Sequence, residues 1–169
     1  MKEDVTFRFS KRGKSNKDKY IDNDKAWNET EALMKKILDD IGLDYVEADN
    51  EAAFYGPKLD VQSKNVYGKE DTIITIQLDF AAAHSFGMTY VDENGEKQYP
   101  FVIHRSSIGC YERTLAMLIE KYAGAFPFWI CPVQVKVMSL TDRSADYAKK
   151  IVDELRMAGL RAEADVRNE

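Results

Sequence analysis

Only two of the 169 residues are cysteines, only four are prolines, and no Cys-x-x-Cys spacing occurs. Cys110 and Cys131 lie among apolar residues in unlike contexts, which reads as two reduced thiols and excludes a disulfide scaffold. No apolar run approaches the ~20 residues that span a bilayer. The opening Met-Lys-Glu-Asp-Val also lacks the apolar stretch of a signal peptide. The expectation is a soluble, cytoplasmic chain with no membrane partner. Internal repeats and low-complexity tracts are missing as well. Charge of one sign is scarce: 24 basic residues stand against 29 acidic ones, a net of −5. Residues 2–19 hold seven Lys/Arg against three Asp/Glu, while the remainder holds 17 against 26. A uniformly basic nucleic-acid surface is therefore excluded. The run Lys-Arg-Gly-Lys-Ser-Asn-Lys at residues 11–17 has the charge to meet phosphates, but its Gly, Ser and Asn content favours a solvated loop.

What is present describes a folded chain. Hydrophobic residues make up 44% and charged residues 31%, with the signs mixed, which excludes disorder as the main state. The length exceeds one average domain and falls short of two, so one domain plus part of another is expected. Residues 5–9 alternate with the period of a half-buried strand. Between residues 24 and 41, Trp27, Thr30, Leu33/Met34, Ile37/Leu38 and Ile41 recur every three to four positions, with Asn23 or Asp24 as N-cap and Gly42 as stop. That spacing predicts an amphipathic helix. Short strands are expected at 45–47 and 59–63 and a long β-branched one at 72–80. The segments 88–91 and 98–104 flank an Asn94-Gly95 hairpin turn. A second helix is expected over 109–122, with Tyr111, Leu115, Leu118/Ile119 and Tyr122 on one face. After a proline- and aromatic-rich connector at 124–132, a strand at 133–140, a helix at 142–158 with Tyr147, Ile151, Leu155 and Ala158 inward, and a strand at 160–166 form one βαβ unit. The fold class is α+β: an antiparallel sheet with flanking helices, followed by a truncated α/β piece.

Several segments occur in a fixed order: Phe54-Tyr55-Gly56-Pro57-Lys58, Thr75-Ile76-Gln77-Leu78-Asp79-Phe80, Ile103-His104-Arg105 and Ile108-Gly109-Cys110-Tyr111-Glu112-Arg113. Tyr122-Ala123-Gly124-Ala125-Phe126-Pro127 and Pro132-Val133-Gln134-Val135 follow them. Together they closely resemble the threonyl-tRNA synthetases, a class II aminoacyl-tRNA synthetase family, over residues 7–169. The resemblance implies that residues 1–126 are the C-terminal part of the catalytic domain, including motif 3, and that 127–169 begin the anticodon-binding domain. It implies a ligase that activates threonine with ATP and transfers it to tRNA(Thr), with Mg2+ and Zn2+ as cofactors and a homodimeric parent. The isolated piece is expected to be inactive, because the family's motif 1, motif 2 and other zinc ligands lie upstream. The rival reading is a free-standing synthetase-like module that binds tRNA or a synthetase partner without chemistry.

Arg113 is the candidate catalytic and ATP-binding residue. Its planar, permanent charge can stack on adenine while meeting phosphate, which lysine cannot reproduce; the blander alternative is a helix arginine paired with an acid. Gly109, four residues earlier, would let a ligand approach the backbone. By resemblance His104 is the one zinc-ligating histidine in this part of the family's chain; otherwise it is a hydrogen-bonded strand residue. A zinc trio of His84, His104 and Cys110 has no match in the family. Tyr55 and Lys58 resemble substrate-pocket positions, and Thr75 and Gln77, two apart and so on one strand face, resemble positions lining the adenylate; the alternative is solvent-facing strand polars. Cys110 stands at a substrate-binding position where serine is common, and Asp71-Thr72 where many members carry Trp-Gln. In the βαβ unit Asp142, Arg143, Arg161, Arg167 and Asn168 either contact the anticodon stem-loop or are ordinary surface polars.

Overall fold

The computed structural model describes residues 5–13 and 17–167, so Lys14, Ser15 and Asn16 of the basic run, and Asn168, lie outside the described residues. The chain divides into two units, Met1–Lys121 and Tyr122–Glu169.

In the first unit the chain runs β1 (Val5–Lys11), α1 (Asp24–Asp40), β2 (Val46–Asp49), β3 (Lys58–Lys64), β4 (Glu70–Asp79), α2 (Ala82–Ser85), β5 (Tyr90–Val91), β6 (Lys97–Gln98), β7 (Val102–Arg105) and α3 (Tyr111–Tyr122). Five strands form one sheet in the order β2-β1-β3-β4-β7. The β1–β2 pair is parallel and the other three pairs are antiparallel. Helix α1 begins where Asn23 Oδ1 accepts the backbone N–H of Ala26 at 3.0 Å and stops ahead of Gly42, whose φ of +65° no longer fits a helix. Its stripe of Trp27, Thr30, Met34 and Leu38 is buried. Met34 and Leu38 pack with Phe9 and Leu59, which sit opposite each other in the β1–β3 register. Trp27 anchors a second cluster, edge-on to Tyr20 at 5.3 Å and to Phe80 at 5.1 Å. Its indole N–H donates to the Ile21 carbonyl at 2.9 Å.

The expected hairpin is shorter than its sequence pattern. Asp92 caps the turn by accepting the N–H groups of Asn94 and Glu96, both at 2.9 Å, but β5 and β6 pair over only two residues each. The returning segment breaks at Tyr99-Pro100 and resumes as β7 against β4. Pro100 has no N–H to donate to a ladder, so one expected strand becomes two with different partners.

The second unit contains β8 (Val135–Met138), α4 (Ala145–Met157) and β9 (Ala162–Asp165), with β8 and β9 parallel. The inward face of α4 is set by Ala148 and Val152, whereas Tyr147 and Ala158 are exposed. Of the expected stripe, Ile151 and Leu155 are half-buried, and Ala148 and Val152 take the fully buried places beside them. Arg161 stitches the connector to β9 by donating to the carbonyls of Cys131 at 2.9 Å and Trp129 at 2.8 Å. Arg167 forks onto Asp165 and holds its carboxyl down to about 2. Among the described residues no helix is long and apolar enough to cross a membrane.

Candidate functional site

Strand alternation gives the sheet a second face, and it is polar. On β3, Lys58, Asp60 and Gln62 interleave with Leu59 and Val61. Across the ladder, Lys58 lies opposite Gln77 and Asp60 opposite Thr75; a register shift at Val61/Gln62 then brings Thr72 opposite Gln62. On the other side of β4, Gln77 lies opposite His104. Thr75, Gln77, Lys58 and His104 are thereby gathered on three adjacent strands, as the spacing of Thr75 and Gln77 predicted for those two.

Hydrogen bonds fix what these side chains offer a ligand. The Tyr55 hydroxyl donates to Gln77 Oε1 at 2.5 Å. Burial pushes the phenol up, helped by the Asp79 charge, so it remains a donor at neutral pH although the bond to Gln77 pulls the other way. The Gln77 carbonyl is thus occupied and its amide N–H groups are left to donate outward, while the Tyr55 oxygen keeps its lone pairs. Tyr55 also lies beside the His104 ring, with centroids 5.9 Å apart.

His104 Nε2 lies 2.8 Å from Asp79 Oδ2. Asp79 is buried, which pushes its carboxyl up. The His104 bond and the N–H groups of Ala82 and Ala81 outweigh that and hold it below the usual carboxylate range. A carboxylate orienting one imidazole nitrogen leaves the other for a ligand. The other acids of this face, Asp60 and Asp79, were missed in sequence. The alternation Lys58-x-Asp60-x-Gln62 beside a strand of opposite pattern was the available signal for Asp60; nothing local marked Asp79 as the partner of a histidine 25 residues away.

Gly109 and Arg113 are tied to β4 through its backbone. Gly109 has φ +71°, and a Cβ there would lie 2.1 Å from the Ile73 carbonyl oxygen. The close approach that requires glycine is therefore made by the sheet of this chain. Because a left-handed residue cannot continue a helix, α3 starts at Tyr111 rather than at 109. Ser106 Oγ accepts the Gly109 N–H at 2.7 Å and Thr114 Oγ1 donates to the Ile108 carbonyl at 2.8 Å. Exposed Arg113 donates from Nη1 to the Thr72 carbonyl at 3.1 Å and makes no ion pair with an acid among the described residues. Thr72 itself exchanges hydrogen bonds with the buried Gln62 amide.

Cys110 stands apart, donating from Sγ to Glu112 at 2.9 Å, and His84 stacks on Tyr99 at 3.7 Å. Among the described residues no three His, Cys, Asp or Glu side chains gather as metal ligands. The residues fit a zinc only as far as one oriented histidine.

The family model for the tRNA synthetase class II core domain (G, H, P, S and T) matches residues 13–122. A threonine–tRNA ligase of Clostridium perfringens (strain SM101 / Type A) is 63% identical over 167 residues, 99% of this chain and 26% of its own length. Its counterpart in Clostridium botulinum (strain Eklund 17B / Type B) is 61% identical over the same shares. The chain thus spans about a quarter of the curated relatives it matches. Among solved structures, the RNA binding domain of threonyl-tRNA synthetase from Cryptosporidium parvum Iowa II superposes with a TM-score of 0.82 at 30% identity, covering 98% of this chain and 41% of that one.

Proposed function

This chain belongs to the class II tRNA synthetase core-domain family, and from that premise we propose that it is a segment of a threonine–tRNA ligase. That enzyme joins threonine to ATP as threonyl-adenylate and then transfers it to tRNA(Thr). In this reading residues 1–126 belong to the catalytic domain and 127–169 open an anticodon-binding domain. The observation that carries it is the polar sheet face, where Tyr55, Lys58, Thr75, Gln77 and His104 converge from separate parts of the chain. The 63% identity to a threonine–tRNA ligase supports it.

The chemistry is attack of the threonine carboxylate oxygen on the α-phosphorus of ATP, with the phosphorus–oxygen bond to pyrophosphate breaking. No side chain need form a bond, so catalysis rests on positioning and on stabilising charge. The lone pairs of Tyr55 suit an ammonium group, and the amide donors of Gln77 suit a carboxylate or phosphate oxygen. Lys58 adds positive charge on the same face. Arg113, held by the Thr72 carbonyl through Nη1 alone, has donors and a guanidinium plane to spare for the nucleotide's phosphate and adenine. His104, oriented by Asp79, would supply one zinc ligand from this segment; a bound zinc would act as a Lewis acid that distinguishes the threonine hydroxyl from a methyl group. Cys110, paired with Glu112, would contribute only a weak thiol contact.

The test is threonine-dependent ATP–pyrophosphate exchange by the full-length ligase carrying this segment, with Arg113→Lys as the variant. The exchange rate should fall by about 10²–10³-fold, while stability moves by less than ~1 kcal/mol. A variant that melts early yet exchanges at the parent rate would make Arg113 a structural residue.

A further inference from the structure

We propose that Asp60 is the positioning residue of this site: one buried carboxylate fixes both Lys58 and Thr75 and so decides which of their atoms face a ligand. The inference rests on the reading that the polar sheet face receives substrate. Asp60 is only 2% exposed. One oxygen accepts from the Lys58 ammonium, and the other accepts from the Thr75 hydroxyl at 2.9 Å. A carboxylate has no proton to give, so Thr75 must spend its single O–H on Asp60 and present only lone pairs elsewhere. Lys58 spends one of its three N–H donors and keeps two. Asp60 therefore gives the site a fixed polarity, with an acceptor at Thr75 and a positive donor at Lys58.

The geometry that makes this possible is the strand period. Lys58 and Asp60 are two apart on β3 and share a face, and Thr75 lies directly opposite Asp60 on β4. An ion pair with one partner buried, as here with Asp60, is a poor way to gain stability, since desolvation offsets much of its attraction and an apolar pair of similar volume often serves as well. Its use here is directional. A lysine on a four-carbon stem otherwise samples many rotamers, and a threonine hydroxyl otherwise rotates. With Asp60 beneath them, both are oriented before a ligand arrives.

Two measurements test this. In the 169-residue chain carrying 15N-lysine and 13C-aspartate, the Lys58 ammonium should give a slowly exchanging NMR signal with a coupling across the hydrogen bond to the Asp60 carboxyl carbon, and Asp60→Asn should abolish it. A wild-type chain with Lys58 exchanging as fast as solvent-exposed Lys64 overturns the proposal without any variant. In the full-length ligase, Asp60→Asn should lower kcat of exchange by about 10-fold or more with much smaller changes in KM, and Asp60→Glu, which restores the charge, should recover part of the loss. Equal kcat in wild type and Asp60→Asn overturns the positioning role. A wild-type ligase with no threonine-dependent exchange refutes the functional reading instead, and the NMR result then decides the positioning by itself.

Discussion

The sheet is held differently on the two sides of β4. Toward β1 it is covered by α1, which buries Ala26, Trp27, Thr30, Met34 and Leu38. Toward β7 stands α3, equally amphipathic in sequence, yet it has no buried residue: Tyr111 is 76% exposed and Leu115 is 53% exposed. Polar bonds and a special backbone geometry secure α3 instead, through Ser106, Thr114, Arg113 and the left-handed Gly109. An amphipathic pattern therefore reports that a helix has an apolar stripe, and says nothing of whether a partner covers it. The candidate site straddles the difference. Its floor, β3 and β4, is braced by the α1 core, while His104, Gly109 and Arg113 come from the lightly packed side, where local opening is cheaper.

Trp27→Ala should cost about 3–5 kcal/mol of unfolding free energy in a denaturant titration, because the indole touches both aromatic neighbours and spends its N–H on Ile21. Leu115→Ala on the exposed stripe of α3 is the control and should change stability by no more than ~0.5 kcal/mol. Similar losses at both positions would mean that α3 is packed as firmly as α1.

A smaller loss is expected where backbone geometry replaces packing. Gly109→Ala places a methyl against the Ile73 carbonyl at a φ of +71° and should cost about 1–3 kcal/mol. Amide hydrogen exchange should show the loss concentrated in α3, with α1 protected as before. Uniformly faster exchange in both helices would contradict the division.

The least effect belongs to the charges rimming the α1 side. Glu47 accepts from Lys11 at 2.6 Å and also from Lys35. Those two bonds hold its carboxyl below the usual range, against a smaller opposing push from burial. A lowered folded-state pKa contributes stability above the unfolded carboxylate value, near 4.3 in order of magnitude, and that contribution is lost as pH falls through the folded value. Glu47→Gln should thus be less stable than wild type by about 0.5 kcal/mol near neutrality, with the gap closing as pH drops. A gap that widened in acid would show that Glu47 is not held as an anion.

Much of this was legible in the chain itself. The Asn23 cap, the Trp27-to-Leu38 stripe, the Asn94-Gly95 turn and the parallel βαβ unit all follow from local patterns, and ordered segments from Phe54 to Arg113 pointed to the synthetase family. The shortened hairpin was not legible, because the absence of an N–H at Pro100 matters only once the neighbouring strand is known. The stripe of α4 was legible in part: Ile151 and Leu155 are half-buried as expected, but Ala148 and Val152 rather than Tyr147 and Ala158 are buried with them.

Local sequence by itself determined the periods, caps and turns, because these depend on contacts within a few residues and on backbone conformations that only some side chains allow. Only tertiary structure decided that Asp60 reaches Thr75, that Asp79 reaches His104, and that the Gly109 Cα lies against β4. Each of these is a pairing across at least 15 residues of chain. Strand register sets such distances, and register is chosen by the burial of the opposite face, where Phe9, Leu59, Met34 and Leu38 close on one another.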